Sequence, residues 1–239
     1  MNRILFESQD SQCELAASDP RLEHVRGVLR MKVGDAFDVG VVNGPVGKAT
    51  IRELGPERMQ LSMEWGERPP LPPDIHLLVG MCRPATARKI LATAPTLGVR
   101  SISFASCGRS DPAYAKSRLW KSGEWRSVLL EGVEQAFDTY LPAVEVADSI
   151  GNGLASLPVA ATRLALDVYE GVGPLSGAAC SPGQPVCLAI GPERGWNKHD
   201  REALRGAGFE LVSLGERVLR VETAVTAALT LLLAKLGVL

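Results

Sequence analysis

Apolar residues along this chain fall into runs of two kinds, and the change from one kind to the other divides the sequence. Through the first part, β-like runs at 3–6, 36–42, 48–54 and 59–63 are punctuated by the turn signals Gly34-Asp35, Asn43-Gly44-Pro45 and Gly55-Pro56. One helical stretch, 20–28, interrupts them. The pattern predicts a small β-barrel-like module over residues 1–70. "GERPPLPPD" follows, and its four prolines in five residues make a stiff extended spacer that continues neither a helix nor a central strand.

From residue 74 onward the apolar runs are continuous rather than alternating. Those at 75–80, 101–105, 161–168, 186–190 and 210–213 read as buried strands, separated by helical stretches near 88–97, 114–136, 197–207 and 222–236. Strands apolar on both faces and alternating with helices predict an α/β domain, 74–239, whose parallel sheet is covered on both sides. Ligands of such sheets bind beyond the strand carboxyl ends. At one of those ends the strand 186–190 stops at Gly191-Pro192-Glu193-Arg194-Gly195, and a helix starts at Asn197 with Asp200 reaching back as in a capping box. "FELVSLGERVLRVETAVTAAL" repeats the arrangement: a strand, Gly215, a short loop carrying Arg217 and Arg220, and a helix opening at Glu222. Two such loops side by side predict a two-sided pocket.

Composition then removes several classes of function. Hydrophobic residues are 46% and charged residues 22% of the chain, the balance of an ordinary globular protein. "MNRILFESQD" lacks the apolar core of a signal peptide. The C-terminal "TAVTAALTLLLAKLGVL" is broken by Thr226, Thr230 and Lys235 and falls short of the ~18–20 apolar residues of a membrane span, so it reads as a buried or interface helix. Five scattered cysteines without a C-x-x-C, and three distant histidines, predict neither disulfides nor a metal site and suit the cytoplasm. The 191–195 loop lacks the Lys and hydroxyl of a P-loop and the G-x-G-x-x-G of a dinucleotide site, and no G-x-S-x-G elbow occurs. The net charge of −1 conceals a segregation: residues 83–126 hold nine Lys/Arg against two Asp/Glu, a balance of +7 and a candidate phosphate-facing surface.

The blocks "LEHVRGVLRMKVGD", "AIGPERGW" and "SLGERVLRVETAVTAAL" resemble, in order and spacing, the signatures of the RsmE family. These are SPOUT-class methyltransferases that modify N3 of a uridine in 16S ribosomal RNA, and the resemblance runs over essentially the whole chain. It implies a PUA-like RNA-binding barrel followed by an α/β domain with a deep trefoil knot, an exception to the rule that chains do not thread loops. S-adenosylmethionine would lie in the knot against Asp167, Ile190, Gly191, Pro192, Glu193, Gly195, Leu214, Gly215, Val218 and Leu219. Arg220 would stabilise the uridinate or Glu222 would take its proton. His24, Arg26 and Arg30 of the barrel, with Arg83, Arg88 and Arg109 of the basic block, would hold RNA phosphates. The implied partners are small-subunit ribosomal RNA and a second copy of the chain, packed through knot helices and giving the apolar C-terminal helix a partner, with no metal and no membrane.

Three positions depart from the family pattern. G-P-E-G-G is here G-P-E-R-G, and an arginine at 194 would be strained if that position needs positive φ. K-A-T-E-L-G-V is here "LATAPTLGV", with Ala94-Pro95 and Thr96, and E-Q-S-x-R is here "EQAFD", which puts Asp138 where a cation is expected to meet RNA. The departures leave two other readings beside the small-subunit enzyme: a SPOUT methyltransferase with another RNA target, and a non-catalytic RNA- or cofactor-binding protein.

Overall fold

The computed structural model describes residues 2–239, and the chain divides into two units, Met1–Leu71 with Val133–Leu141, and Pro72–Gly132 with Pro142–Leu239. In the first unit the elements are β1 (Ile4–Phe6), β2 (Gln12–Ala16), α1 (Pro20–Glu23), β3 (Ala36–Val41), β4 (Val46–Leu54) and β5 (Arg58–Trp65). They form a five-stranded sheet in the order β1-β3-β4-β5-β2, antiparallel except where β1 runs parallel to β3. The period of two drives alternate side chains inward, so Val39, Ala49, Ile51, Met59 and Leu61 meet Leu22 and Val25 in one core. Asp19 caps α1 by accepting from the backbone N–H of Arg21 at 2.9 Å, with Pro20 at the first helical position. A turn of π-helix, His24–Val28, continues it and ends at Arg30 in the left-handed region, φ 54°.

Residues 133–141, which the linker reading assigns to the second domain, belong to the first unit. The reason is a dense set of hydrogen bonds: the N–H of Leu5 donates to Glu134 Oε1 (3.0 Å), that of Asn43 to the carbonyl of Thr139 (2.7 Å), and Thr139 Oγ1 to the carbonyl of Gly44 (2.8 Å). Asp138 is consumed here as well. Its Oδ1 accepts from the N–H groups of Thr139 and Tyr140 at 2.6 and 3.2 Å, closing the turn that follows Phe137 at φ 59°.

The second unit alternates as its apolar runs require: β6 (Ile75–Gly80), α2 (Pro84–Thr93), β7 (Ser101–Ala105), α3 (Pro112–Ala115), α4 (Arg118–Lys121), α5 (Glu124–Gln135), β8 (Ala143–Ala147), α6 (Ile150–Ala155), β9 (Thr162–Leu166), β10 (Val186–Ile190), α7 (Lys198–Gly206), β11 (Glu210–Val212) and α8 (Val221–Lys235). The sheet has six strands, ordered β11-β9-β10-β6-β7-β8, and every pair is parallel. β10 lies at its centre with all five residues buried. The expected helix over 114–136 is three helices, because Asp111 and Ser117 start new ones and Gly123 breaks the path at φ 76°. The expected helix at 88–97 begins four residues earlier, on Pro84, and tightens into a 3-10 turn over Ala94–Leu97, where Pro95 offers no N–H.

Helix α8 buries Val225, Ala228, Leu229, Leu232 and Leu233 within the chain, so most of its apolarity is satisfied without a partner copy. Among the described residues no helix is long and apolar enough to cross a membrane. α2 and α5 pack backbone to backbone at Gly132, where an added Cβ would lie 2.5 Å from the carbonyl oxygen of Ala92. Gly132→Ala is therefore expected to destabilise the protein by about 1–3 kcal/mol, as overpacking does. The shift in the urea midpoint, at unchanged slope, measures it.

Candidate functional site

The carboxyl ends of β9, β10 and β11 open on one cavity of about 800 Å³ in the second unit. Its walls are the loop after β9, the 191–195 loop, residues 214–222 leading into α8, and the first turns of α2. All ten residues expected to hold a cofactor line it, and so do Arg220, Glu222 and Arg83. Arg88 and Arg109 do not line it, and His24, Arg26 and Arg30 belong to the first unit.

The 191–195 loop is shaped by sterics at both ends. Gly80, at the end of β6, admits the loop because a Cβ there would fall 2.5 Å from Pro192 Cδ and 2.8 Å from its nitrogen. The left-handed residue is Gly195, at φ 66°, and Arg194 is not among the residues with positive φ. The strain expected at Arg194 is absent: the conformation only glycine tolerates well falls one residue later, where the sequence has a glycine. Arg194 is exposed, and its carbonyl accepts from Arg109 Nη1 at 2.8 Å. Beyond the loop Asn197 and Asp200 form the expected capping box, and Asp200 Oδ1 also accepts from the N–H of Gly108 at 3.1 Å. Trp196 is buried under the site with Nε1 donating to the carbonyl of Leu166 at 3.1 Å.

Five acidic or basic residues at the cavity, Glu193, Glu222, Lys89, Asp167 and Arg201, have their charges already committed. Glu193 Oε1 accepts from the backbone N–H of Arg83 and from Thr86 Oγ1, each at 3.0 Å, so its side chain caps α2 rather than reaching for a ligand. Glu222 pairs with Lys89 at 2.9 Å, and that hydrogen bond, with help from Arg220, holds its carboxyl below the usual range. A carboxylate so stabilised is a poor proton acceptor, which argues against Glu222 as the base. Asp167 is 6% exposed and lies against Arg201, 9% exposed. Burial alone would raise its carboxyl, but the Arg201 guanidinium and the N–H groups of Tyr169 and Glu170 together hold it low. Asp167 thus turns its oxygens away from a ligand and organises the loop after β9. Arg201 and Lys89 were not expected at the site, since pairs 34 and 133 residues apart leave no local signal.

What remains uncommitted is equally informative. The guanidinium groups of Arg217 and Arg220 are exposed and make no hydrogen bond or ion pair among the described residues. Arg220 is the N-cap residue of α8, with extended backbone at φ −64° and ψ 151°. Residues 214–219 make no backbone hydrogen bond among the described residues, leaving their N–H and C=O groups for a ligand. Burial pushes the thiols of Cys107 and Cys187 up to about 11, which disqualifies them as thiolate nucleophiles at neutral pH. No group of three or more His, Cys, Asp or Glu that could hold a metal occurs among the described residues.

In the basic block, Arg88 pairs with Glu124, and Arg109 is tied to the 191–195 loop. Lys116, Arg118 and Lys121 have no side-chain partner among the described residues. In the first unit Arg26 pairs with Glu23 at 2.7 Å, whereas Arg30 is exposed and unpaired among the described residues.

A family model described as an RNA methyltransferase domain matches residues 69–233. Over 246 aligned positions the chain is 31% identical to ribosomal RNA small subunit methyltransferase E of Treponema pallidum (strain Nichols), covering 98% of this chain and 91% of that protein. It is 27% identical to the protein of that name from Synechocystis sp., covering 95% of this chain and 75% of the relative. Among solved structures it is similar to a ribosomal RNA small subunit methyltransferase E from Neisseria gonorrhoeae bound to S-adenosyl methionine, with a TM-score of 0.82, 23% identity and 98% of each chain covered. A methyltransferase structure from Legionella pneumophila with bound SAM gives a TM-score of 0.83 at 23% identity, over 98% of this chain and 97% of that one.

Two outcomes follow from the site's geometry. Gly80→Ala pushes Pro192 out of its seat, so the protein should lose about 1–3 kcal/mol of stability, and any ligand of the cavity should bind more weakly, as calorimetry would record. Asp167→Asn leaves the buried Arg201 with Glu170, at 3.4 Å, as its remaining ionic partner, a loss of about 1–3 kcal/mol at pH 7. Because the folded carboxyl titrates below its ordinary value of 3.8, the pair's contribution is complete above that value and disappears as the pH falls through the lowered one. The gap between wild type and Asp167→Asn in denaturant titrations should therefore close in acid.

Proposed function

The chain belongs to the ribosomal RNA small subunit methyltransferase E family, and from that premise we propose that it transfers the methyl group of S-adenosylmethionine to N3 of a uridine in 16S ribosomal RNA. The observation that carries the reading is the 214–219 loop, whose unspent backbone groups line the same cavity as the glycine-bearing 191–195 loop. The cavity, about 800 Å³, is of the size that holds drug-sized ligands. Gly191, Gly195 and Gly215 let backbone approach a bound molecule closely, and Gly215 does so at φ 103°. These residues fit the adenosine and methionine parts of the cofactor, which is recognised through main-chain groups here because the nearby carboxylates are committed elsewhere.

S-adenosylmethionine, when bound, supplies a methyl group already activated by the sulfonium. The chain's own contribution is to prepare the acceptor. Uracil N3 attacks only after its proton has passed to solvent water, and the uncommitted guanidinium of Arg220 stabilises the resulting negative charge. Glu222 and Lys89 hold the first turn of α8, and so Arg220, in place. Lys116, Arg118, Lys121 and Arg30 are the cations free to meet RNA phosphates. Asp138 closes a turn with its carboxylate and adds no cation to this set.

The same reading carries a trefoil knot in the second unit, a PUA-like RNA-binding role for the first, and action in the cytoplasm, where ribosomes are assembled. It also carries a homodimer through α8, for which the exposed Leu231, Val238 and Leu239 offer apolar surface.

Titration with S-adenosylmethionine and S-adenosylhomocysteine should show micromolar binding, and incubation with unmodified small subunits should place one methyl group on a uridine N3. No binding at millimolar ligand, or methylation elsewhere, would overturn the reading. Arg220→Ala should lower kcat by about 100- to 1000-fold, the loss of one preorganised charge-stabilising donor, while cofactor affinity stays within a few-fold.

A further inference from the structure

Tyr169 is the aromatic ring at the mouth of the cavity. It lines the cavity with 76% of its surface exposed, whereas a tyrosine ordinarily hides its apolar ring and wets only its hydroxyl. Its hydroxyl makes no hydrogen bond among the described residues. Val218 and Leu219, 73% and 37% exposed, line the same cavity, so the mouth presents apolar surface beside the uncommitted Arg217 and Arg220.

The backbone that carries this ring is held with unusual thoroughness for a loop. The N–H groups of Tyr169 and Glu170 both donate to Asp167 Oδ1, at 2.8 and 3.1 Å, and Arg201 fixes that carboxylate from behind. Glu170 is drawn to Arg205 at 2.7 Å and to Arg201 at 3.4 Å. Gly171 passes so close to the sheet that a Cβ would lie 2.6 Å from the carbonyl oxygen of Asp167, and the N–H of Val172 donates to the carbonyl of Leu211 at 2.9 Å. A ring left bare on a backbone this constrained is a plane set in advance of its ligand, with little ordering left to do on binding.

We propose that Tyr169 is the stacking platform for the target pyrimidine, receiving the unpaired base as it enters from solvent. The proposal rests on the ribosomal RNA methyltransferase reading above and adds a specificity-determining residue to it. Unpaired RNA bases are recognised by stacking on aromatic side chains. The loops proposed above to hold the cofactor, 191–195 and 214–219, do not include this ring, and its exposure suits a group that meets an incoming base rather than one enclosed with the cofactor.

Steady-state kinetics on unmodified small subunits test it with Tyr169→Ala and Tyr169→Phe, alongside calorimetry with S-adenosylmethionine and sedimentation. Tyr169→Ala should raise KM for the RNA substrate roughly ten-fold or more, the usual consequence of removing one stacking partner. Its kcat and cofactor affinity should stay within about two-fold, the signature of lost substrate binding. Tyr169→Phe should behave as wild type, since the ring and not the hydroxyl does the stacking. An unchanged KM in Tyr169→Ala overturns the proposal. So does a KM that Phe fails to restore, a fall in cofactor affinity (which would give the ring to the adenine), or dissociation of a dimer (which would give it to a subunit contact). A wild-type protein that binds the cofactor but leaves small-subunit RNA unmethylated fails the underlying reading instead.

Discussion

A single carboxylate oxygen joins the two halves of the site. Glu193 Oε1 takes both the Arg83 N–H and the Thr86 hydroxyl, which seats the 191–195 loop on the N-terminus of α2, where an anion is favoured by both the free N–H groups and the helix dipole. One turn further on, the same helix presents Lys89 to Glu222, at the start of α8. α2 is therefore a strut with one glycine loop fastened to each end of a short stretch of it. Gly80 and Pro192 complete the arrangement from the sheet side, where no side chain would fit between strand and loop.

Charge is distributed at this site by commitment. Glu193, Glu222 and Asp167 each have partners that lower their proton affinity or consume their oxygens: the Arg83 N–H and Thr86 hydroxyl for Glu193, Lys89 for Glu222 and Arg201 for Asp167. Among the cations left over, Arg217 and Arg220 stand on the segment that leads into α8. A reaction whose acceptor becomes negative is served by that division, because a free cation helps the anion while committed carboxylates add little repulsion. The arginine at 194 changes less than its bulk suggests, since the loop's left-handed turn is one residue away.

The strands of the parallel sheet were legible because both faces are buried and the apolar runs are unbroken, as in Val186–Ile190. The capping box at Asn197 and Asp200 was legible because it is a local pattern. Strand Gln12–Ala16 was not, for only Leu15 among its five residues is buried, nor was Ala143–Ala147, a sheet edge with mostly exposed side chains. Helix Ile150–Ala155 carries two glycines in six residues and hides behind them. At the site, the family signature pointed to loops that line one cavity but gave each charged residue a ligand, whereas Glu193 and Asp167 are bonded to their own chain. Asp138 shows the same gap: the pattern marks a lost cation, and the fold uses the carboxylate to close a turn.

The return of residues 133–141 to the first unit has a consequence for how the protein is made. Translation releases the chain from its N-terminus, and domains ordinarily fold as they emerge. Here the first 71 residues come out without the strip that supplies hydrogen bonds to Leu5, Asn43 and Gly44. The five-stranded sheet gains its last hydrogen-bonding strip only after 133–141 emerge, by which point β6, β7 and α2 are already outside. The order of synthesis and the order of completion therefore differ, and the linear boundary drawn by the prolines at 69–73 is one that neither unit respects as an independent piece of chain.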